Sequence, residues 1–97
     1  MNSDMIINIQ SVHFKASEDL QQHVQDKVRK LFDHNDKIIR ADVKLFEEGN
    51  GVATQYCEIR LVIPGDDHIA KKGAATYEKA VLDTVDTLRK VMRRAKK

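Results

Sequence analysis

The residues of this chain best placed to do chemistry are cations crowded at one end. Arg89, Lys90, Arg93, Arg94, Lys96 and Lys97 fall within nine positions, with no acid among them. The net charge of +2 conceals this bias, because residues 1–70 carry 8 Lys and Arg against 12 Asp and Glu, whereas residues 71–97 carry 9 against 3. A helix offsets its C-terminal dipole with about two or three cations. Six exceed that need, and such a run is the electrostatic footprint of a polyanion-binding surface. Nucleic acid, an anionic membrane and plain solvation all suit a basic face; this density of charge favours the first.

Spacing sharpens the reading. On a helix at about 100° per residue, Lys79, Lys90, Arg93 and Lys97 lie opposite the apolar stripe, with Arg89 and Lys96 on one shoulder and Arg94 on the other. An earlier helical stretch places Lys27 and Lys30 on a shoulder with His23 and His34, while Arg29 sits between Asp26 and Asp33, within pairing reach. Two helices packed side by side would join these shoulders into one stripe suited to tracking phosphates by counterion release. Aromatic residues do not interleave with it, since Phe32 and Tyr77 lie on apolar faces and Trp is absent. Folded RNA contacted through backbone and shape therefore fits better than single strands held by base stacking.

Bond-making chemistry finds little support. Gly49, Gly51, Gly65 and Gly73 do not open a helix after a strand in the spacing of a phosphate-binding loop. Cys57 is the single cysteine and falls in the alternating stretch Tyr56-Cys57-Glu58-Ile59, so it reads as a buried, inert thiol with no partner for an intrachain disulfide or a thiolate zinc site. His13, His23, His34 and His68 match no metal-ligand spacing. The acids cluster as Asp33 and Asp36, Glu47 and Glu48, and Asp66 and Asp67, each beside a turn, where solvated carboxylates are usual. No catalytic residue, metal, cofactor or small-molecule substrate is expected, and the chain reads as a binding protein and not an enzyme.

The elements that must position the cations follow from periodicity. At 97 residues, 41% apolar and 33% charged, the chain has the size and composition of one globular domain, residues 1–97. Its first residues lack the basic and apolar regions of a secretory signal, so cytoplasmic residence is the expectation. Residues 5–14 alternate, with Ile7 and Ile9 on one face and a slip to Val12 and Phe14, which predicts a strand with a bulge or an early end near Ser11. Ser17 is a helix cap, with Glu18 and Asp19 in the first turn, and Leu20, Val24, Val28, Leu31 and Phe32 carry a helix over about 18–34, closed by Asn35 and Asp36. Ala41, Val43 and Leu45 mark a second strand; Cys57, Ile59, Leu61 and Ile63 mark a third. Gly49-Asn50-Gly51 joins these two as a hairpin. Pro64-Gly65-Asp66-Asp67 turns the chain into a fourth strand over about 68–74, an edge blunted by Lys71 and Lys72. Tyr77, Val81, Val85, Leu88, Met92 and Ala95 then define a helix over 76–97. The fold class is α+β: β-α-β-β-β-α, a four-stranded mixed sheet with two helices packed on one face.

Several segments, in this order, also resemble a known family. Ile7-Asn8-Ile9-Gln10-Ser11-Val12-His13-Phe14 with Leu20, Lys27-Val28-Arg29-Lys30-Leu31, Phe32-Asp33 through Lys37-Ile38, and Ala80-Val81 with Val85-Asp86-Thr87-Leu88 and the basic run are similar to the ribosome hibernation-promoting factors. These are also called protein Y or ribosome-associated inhibitor A, of the sigma-54 modulation protein family. The resemblance implies the same fold, and binding to the small ribosomal subunit and its 16S rRNA where mRNA and tRNAs would sit. Occupation of that channel in stress or stationary phase would stop translation and protect idle ribosomes. By position, Lys27, Lys30, Lys37, Lys90, Arg94 and Lys96 match basic residues of the family pattern. Leu82, Glu78, Thr87 and Val91 depart from it, standing where Asp, an aromatic residue, Lys and Gln are usual. Ending at Lys97, the chain resembles the short class, without the second domain that pairs ribosomes in long members. A general structured-RNA or assembly module and a protein-interaction regulator are the alternatives; neither a membrane nor DNA is an expected partner.

Overall fold

The computed structural model describes residues 6–34, 37–49 and 54–95. The elements follow in the order β1 (Ile6–Ser11), α1 (Glu18–His34), β2 (Arg40–Glu47), β3 (Gln55–Val62), β4 (His68–Ala74) and α2 (Tyr77–Ala95). They form one four-stranded sheet in the order β1-β2-β3-β4. β1 and β2 are parallel, and the other two pairings are antiparallel. The α+β class and the element order match the expectation.

Alternation decides which face of the sheet is buried. Val43 and Leu45 of β2 point the same way as Cys57, Ile59 and Leu61 of β3, and all five are buried. Against them α1 lays Leu20, Val24, Val28 and Leu31, and α2 lays Tyr77, Val81, Val85, Leu88 and Met92. Fully burying such a side chain contributes about 1.5–3 kcal/mol. Thr84 is the one buried polar residue among those described: its hydroxyl lies 3.0 Å from the Cys57 carbonyl oxygen and 2.7 Å from that of Ala80. Its single proton can satisfy either, which tethers α2 to β3 without stranding a donor. Burial pushes the Cys57 thiol up to about 12, so it stays a protonated, inert core residue.

The element ends have local causes. β1 stops at Ser11, the earlier of the two endings its spacing allowed, because His13 takes the left-handed conformation at φ 67° and turns the chain away. Phe14 therefore leaves the sheet and stacks on Tyr77, with ring centroids 4.8 Å apart. Ser17 Oγ accepts from the Leu20 N–H at 3.1 Å, and Thr76 Oγ1 accepts from the Lys79 N–H at 3.2 Å, capping the two helices. At the β3–β4 turn the Asp66 N–H reaches the Ile63 carbonyl at 3.1 Å, with Gly65 at φ 90°, as a Pro-Gly type II turn demands. Gly49 opens the β2–β3 connection at φ 74°. The expected turn residues Asn50 and Gly51, and the helix-closing Asn35 and Asp36, lie outside the described residues.

Helix direction follows from strand direction. A crossover between parallel strands carries the chain back, so α1 runs opposite to β1 and β2. β4 points the same way as β2, and α2 turns back after two residues. The two helices thus lie side by side with their C-termini at one edge, and His23 Nε2, in the second turn of α1, is 3.2 Å from the Glu78 carbonyl oxygen in the first turn of α2.

Core and surface positions of the helices should respond differently to truncation. Leu31→Ala, at a site with no exposed surface, is expected to lower unfolding free energy by about 2–5 kcal/mol. Leu82→Ala, 38% exposed on α2, should change it by less than about 0.5 kcal/mol. Urea unfolding monitored by circular dichroism checks both; equal losses would contradict the packing described.

Candidate nucleic-acid interface

The His23–Glu78 contact decides which shoulder of α1 faces α2. Lys27 and Lys30 lie one and two turns further along the shoulder that carries His23, so they line the α2 side of α1. On α2, Arg89 lies about three turns beyond Glu78 on the side facing α1, with Lys90 and Arg93 further round on the outer face. Lys30, Lys90 and Arg93 are exposed and Lys27 is half-buried. Among the described residues, none of these four makes an ion pair. Lys37 is exposed in the α1–β2 connection, at the same edge as the helix C-termini.

Other cations are occupied. Lys79 Nζ, expected on the free basic face, donates to Asp83 Oδ1 at 2.7 Å, one turn along α2 and near the opposite end of the helix. Arg29 approaches Asp26 at 3.9 Å, the intrahelical pairing its neighbours suggested. Arg89 Nη1 is 3.6 Å from Asp86, beyond hydrogen-bond reach, and its Nε is buried without an acceptor. The hydrogen-bonding capacity of the guanidinium is therefore largely unspent. Of the remaining expected site residues, the side chain of Arg94, and Lys96 and Lys97, lie outside the described residues, as does the His34 side chain.

Acids near the basic edge are partly neutralised. Arg60 Nη2 donates to Asp67 at 2.6 Å and its Nε at 2.9 Å, a pairing that holds the Asp67 carboxyl below the usual carboxylate range. Among the described residues no group of three or more His, Cys, Asp and Glu could hold a metal ion. No described helix is long and apolar enough to cross a membrane.

Residues 7–97 match the family model described as sigma 54 modulation protein / S30EA ribosomal protein. The chain belongs to this family. The family is one of ribosome-associated factors, which gives the basic edge its context. The fold has close counterparts among solved structures. A ribosomal subunit interface protein from Coxiella burnetii superposes with a TM-score of 0.83 at 16% identity, over 95% of this chain and 98% of that one. The N-terminal domain of Thermus thermophilus Protein Y superposes with a TM-score of 0.81 at 20% identity, over 96% and 100% respectively. At these identities the likeness is one of fold. No curated protein sequence matches the chain.

Sequence reasoning passed over one surface. On the sheet face away from the helices Phe46 and Tyr56 stack, with ring centroids 5.7 Å apart, and Lys44 and Lys71 stand over the rings. The outward parity of these residues in neighbouring strands was the available signal, but only the β2–β3 register brings the rings together.

The occupied cations of α2 provide a test of the interface. An Asp83→Asn/Asp86→Asn variant releases Lys79 and Arg89, and should bind a short RNA duplex more tightly. Its plot of log affinity against log salt should steepen by about one to two. Fluorescence anisotropy across a salt series reads this; an unchanged slope would show that these cations do not face the RNA.

Proposed function

We propose that this protein binds the small ribosomal subunit through its 16S rRNA, in the channel otherwise filled by mRNA and tRNA, and holds the ribosome idle in stress or stationary phase. The observation that carries the reading is the basic edge: Lys27, Lys30, Arg89, Lys90 and Arg93 sit along two parallel helices, without close carboxylate partners apart from the loose Arg89–Asp86 approach. Lys37, Arg94, Lys96 and Lys97 extend this surface in the proposal. Family membership and fold likeness to a ribosomal subunit interface protein and to Protein Y support it. In this reading the whole chain acts as one ribosome-binding domain, in the cytoplasm.

The mechanism is occupation and not catalysis. Cations on a rigid pair of helices replace condensed counterions along an rRNA backbone, which supplies affinity without reading bases. A ligand seated there excludes tRNA by volume alone, so inhibition needs no chemical step. Release follows when competing tRNA or mRNA takes the same phosphates. The alternatives, a general structured-RNA or assembly module and a protein-interaction regulator, predict no competition with tRNA.

Co-sedimentation with 30S subunits and 70S ribosomes, with and without tRNA, separates these readings. Wild type should pellet with ribosomes and be displaced by tRNA. A variant with Arg89→Glu, Lys90→Glu, Arg93→Glu and Arg94→Glu should lose binding by at least about 100-fold, from four lost phosphate contacts and the repulsion that replaces them. Equal binding by both proteins, or binding that tRNA leaves untouched, would overturn the proposal.

A further inference from the structure

The sheet face away from the helices carries a group of side chains that the basic edge does not explain. In register, Phe46 stands opposite Tyr56 and Tyr56 opposite Gly73. The two rings lie 13° from parallel. Lys71 Nζ is 5.4 Å from both ring centroids, and Lys44 Nζ is 5.7 Å from that of Phe46. Tyr56 has a structural task, because a Cβ on Gly73 would stand 2.5 Å from its ring; the ring fills the space a side chain there would occupy. Phe46 fills no such backbone gap: it stacks on Tyr56 and stands half-exposed on a face no helix covers. The next cross-strand pair, Lys44 and Glu58, walls an open depression of about 400 Å³ that Asn8, Gln10 and Arg60 also line.

We propose that this face is a second nucleic-acid site, which takes a short single-stranded RNA segment with a base stacked at Phe46 and the adjoining nucleotide in the depression. Every base has a π-face, so an aromatic platform holds single strands with little regard to sequence. An open four-stranded sheet with aromatics on adjacent strands is a geometry that suits splayed bases. Lys44 and Lys71, which stand over the rings in the free protein, would swing outward to meet the phosphates on either side of a stacked base. Gln10, and Asn8 beyond the hydrogen bond its Nδ2 donates to Asp42 Oδ1 at 3.0 Å, supply amide donors and acceptors for base edges. A protein surface laid here would desolvate both lysines, whereas phosphates would accept from them.

The charges of this face nearly cancel. Lys71 Nζ pairs with Glu48 at 3.0 Å, Arg60 with Asp67 at 2.6 Å, and Arg40 with Asp42 at 3.1 Å. Binding here therefore rests on stacking more than on counterion release, and depends on salt less steeply than binding at the helices. The inference stands apart from the ribosome proposal, since it concerns the opposite face and an isolated oligonucleotide.

The test is a titration of the isotopically labelled full chain with an oligouridine of about 12 nucleotides, followed by amide chemical shifts at two salt concentrations. Wild type should shift at β2 and β3, and so should Lys90→Glu/Arg93→Glu, with affinity changing less than threefold between the salts. Phe46→Leu keeps an apolar side chain and should bind about tenfold more weakly. Lys44→Glu, at an exposed position, gives a second reading independent of core packing and should weaken binding in the same direction. Shifts confined to α1 and α2, or wild-type affinity in both variants, would overturn the proposal. Shifts at β2 and β3 that track protein concentration without RNA would mark a contact between copies, and would equally overturn it.

Discussion

Two amphipathic helices bury their apolar stripes on the same face of one sheet, and the position of each charged group follows from that sharing. Val24, Val28 and Leu31 of α1, and Val81 and Leu88 of α2, are buried against Val43, Leu45, Ile59 and Leu61. Parallel pairing of β1 with β2 requires a crossover, and α1 is that crossover. Because β4 points the same way as β2, both helices finish at the same edge. The negative ends of two helix dipoles therefore coincide there, and cations in the last turns stabilise the free protein by about 0.3–1 kcal/mol each. A crowd of like charges normally opposes folding. Here the dipoles offset part of that repulsion, so the fold can carry a basic edge without a compensating acid in each turn.

Which cations remain available is decided by where the acids stop. In α2 the last acid is Asp86: Lys79 stands about two turns before it, and Arg89, Lys90 and Arg93 lie beyond it. Lys79 is taken by Asp83 at 2.7 Å, and Arg89 leans on Asp86 at 3.6 Å. Exposed pairs of this kind are worth about 0–1 kcal/mol, so a phosphate can displace them at small cost. The gradient along the helix is thus one of readiness as well as charge: a neutralised first half, one loosely held guanidinium, then exposed cations.

The helices were legible because their signals are local. Ser17 and Thr76 act as caps where hydroxyl residues precede apolar periodicity, and the stripes Leu20 to Leu31 and Tyr77 to Met92 are buried as spacing requires. The strands were legible by alternation, and their order by the shortness of the connections. What was hidden depends on conformation or on pairing across the chain. Nothing local marks His13 as left-handed, so alternation alone left a bulge and an early end near Ser11 both open, and the φ of His13 decides for the early end. Thr84 is a poor guide to a core face, since its burial is tolerable only because its hydroxyl meets the Ala80 and Cys57 carbonyls. The basic run was visible as composition, but its convergence with Lys27 and Lys30 turns on which shoulder of α1 meets α2, and the His23–Glu78 contact settles that. Phe46, Tyr56 and Gly73 are spread over 28 positions of the chain and become neighbours only through register.

The two surfaces differ in the range over which they act. Exposed charge attracts RNA over roughly 8–10 Å at moderate salt and holds it by contacts that carry no sequence information by themselves. Aromatic stacking acts only at contact and asks for an unpaired base in a defined place. A protein with the basic edge alone would adhere to any folded RNA; one with the sheet face alone would meet its ligand rarely. In the two proposals these surfaces lie on opposite sides of a thin body, 18 Å through its narrowest principal dimension, so both would be engaged at once only by RNA that closes round the protein. Such a requirement selects a cleft over a free helix, and it arises from a single layer of helices leaving the other side of the sheet open.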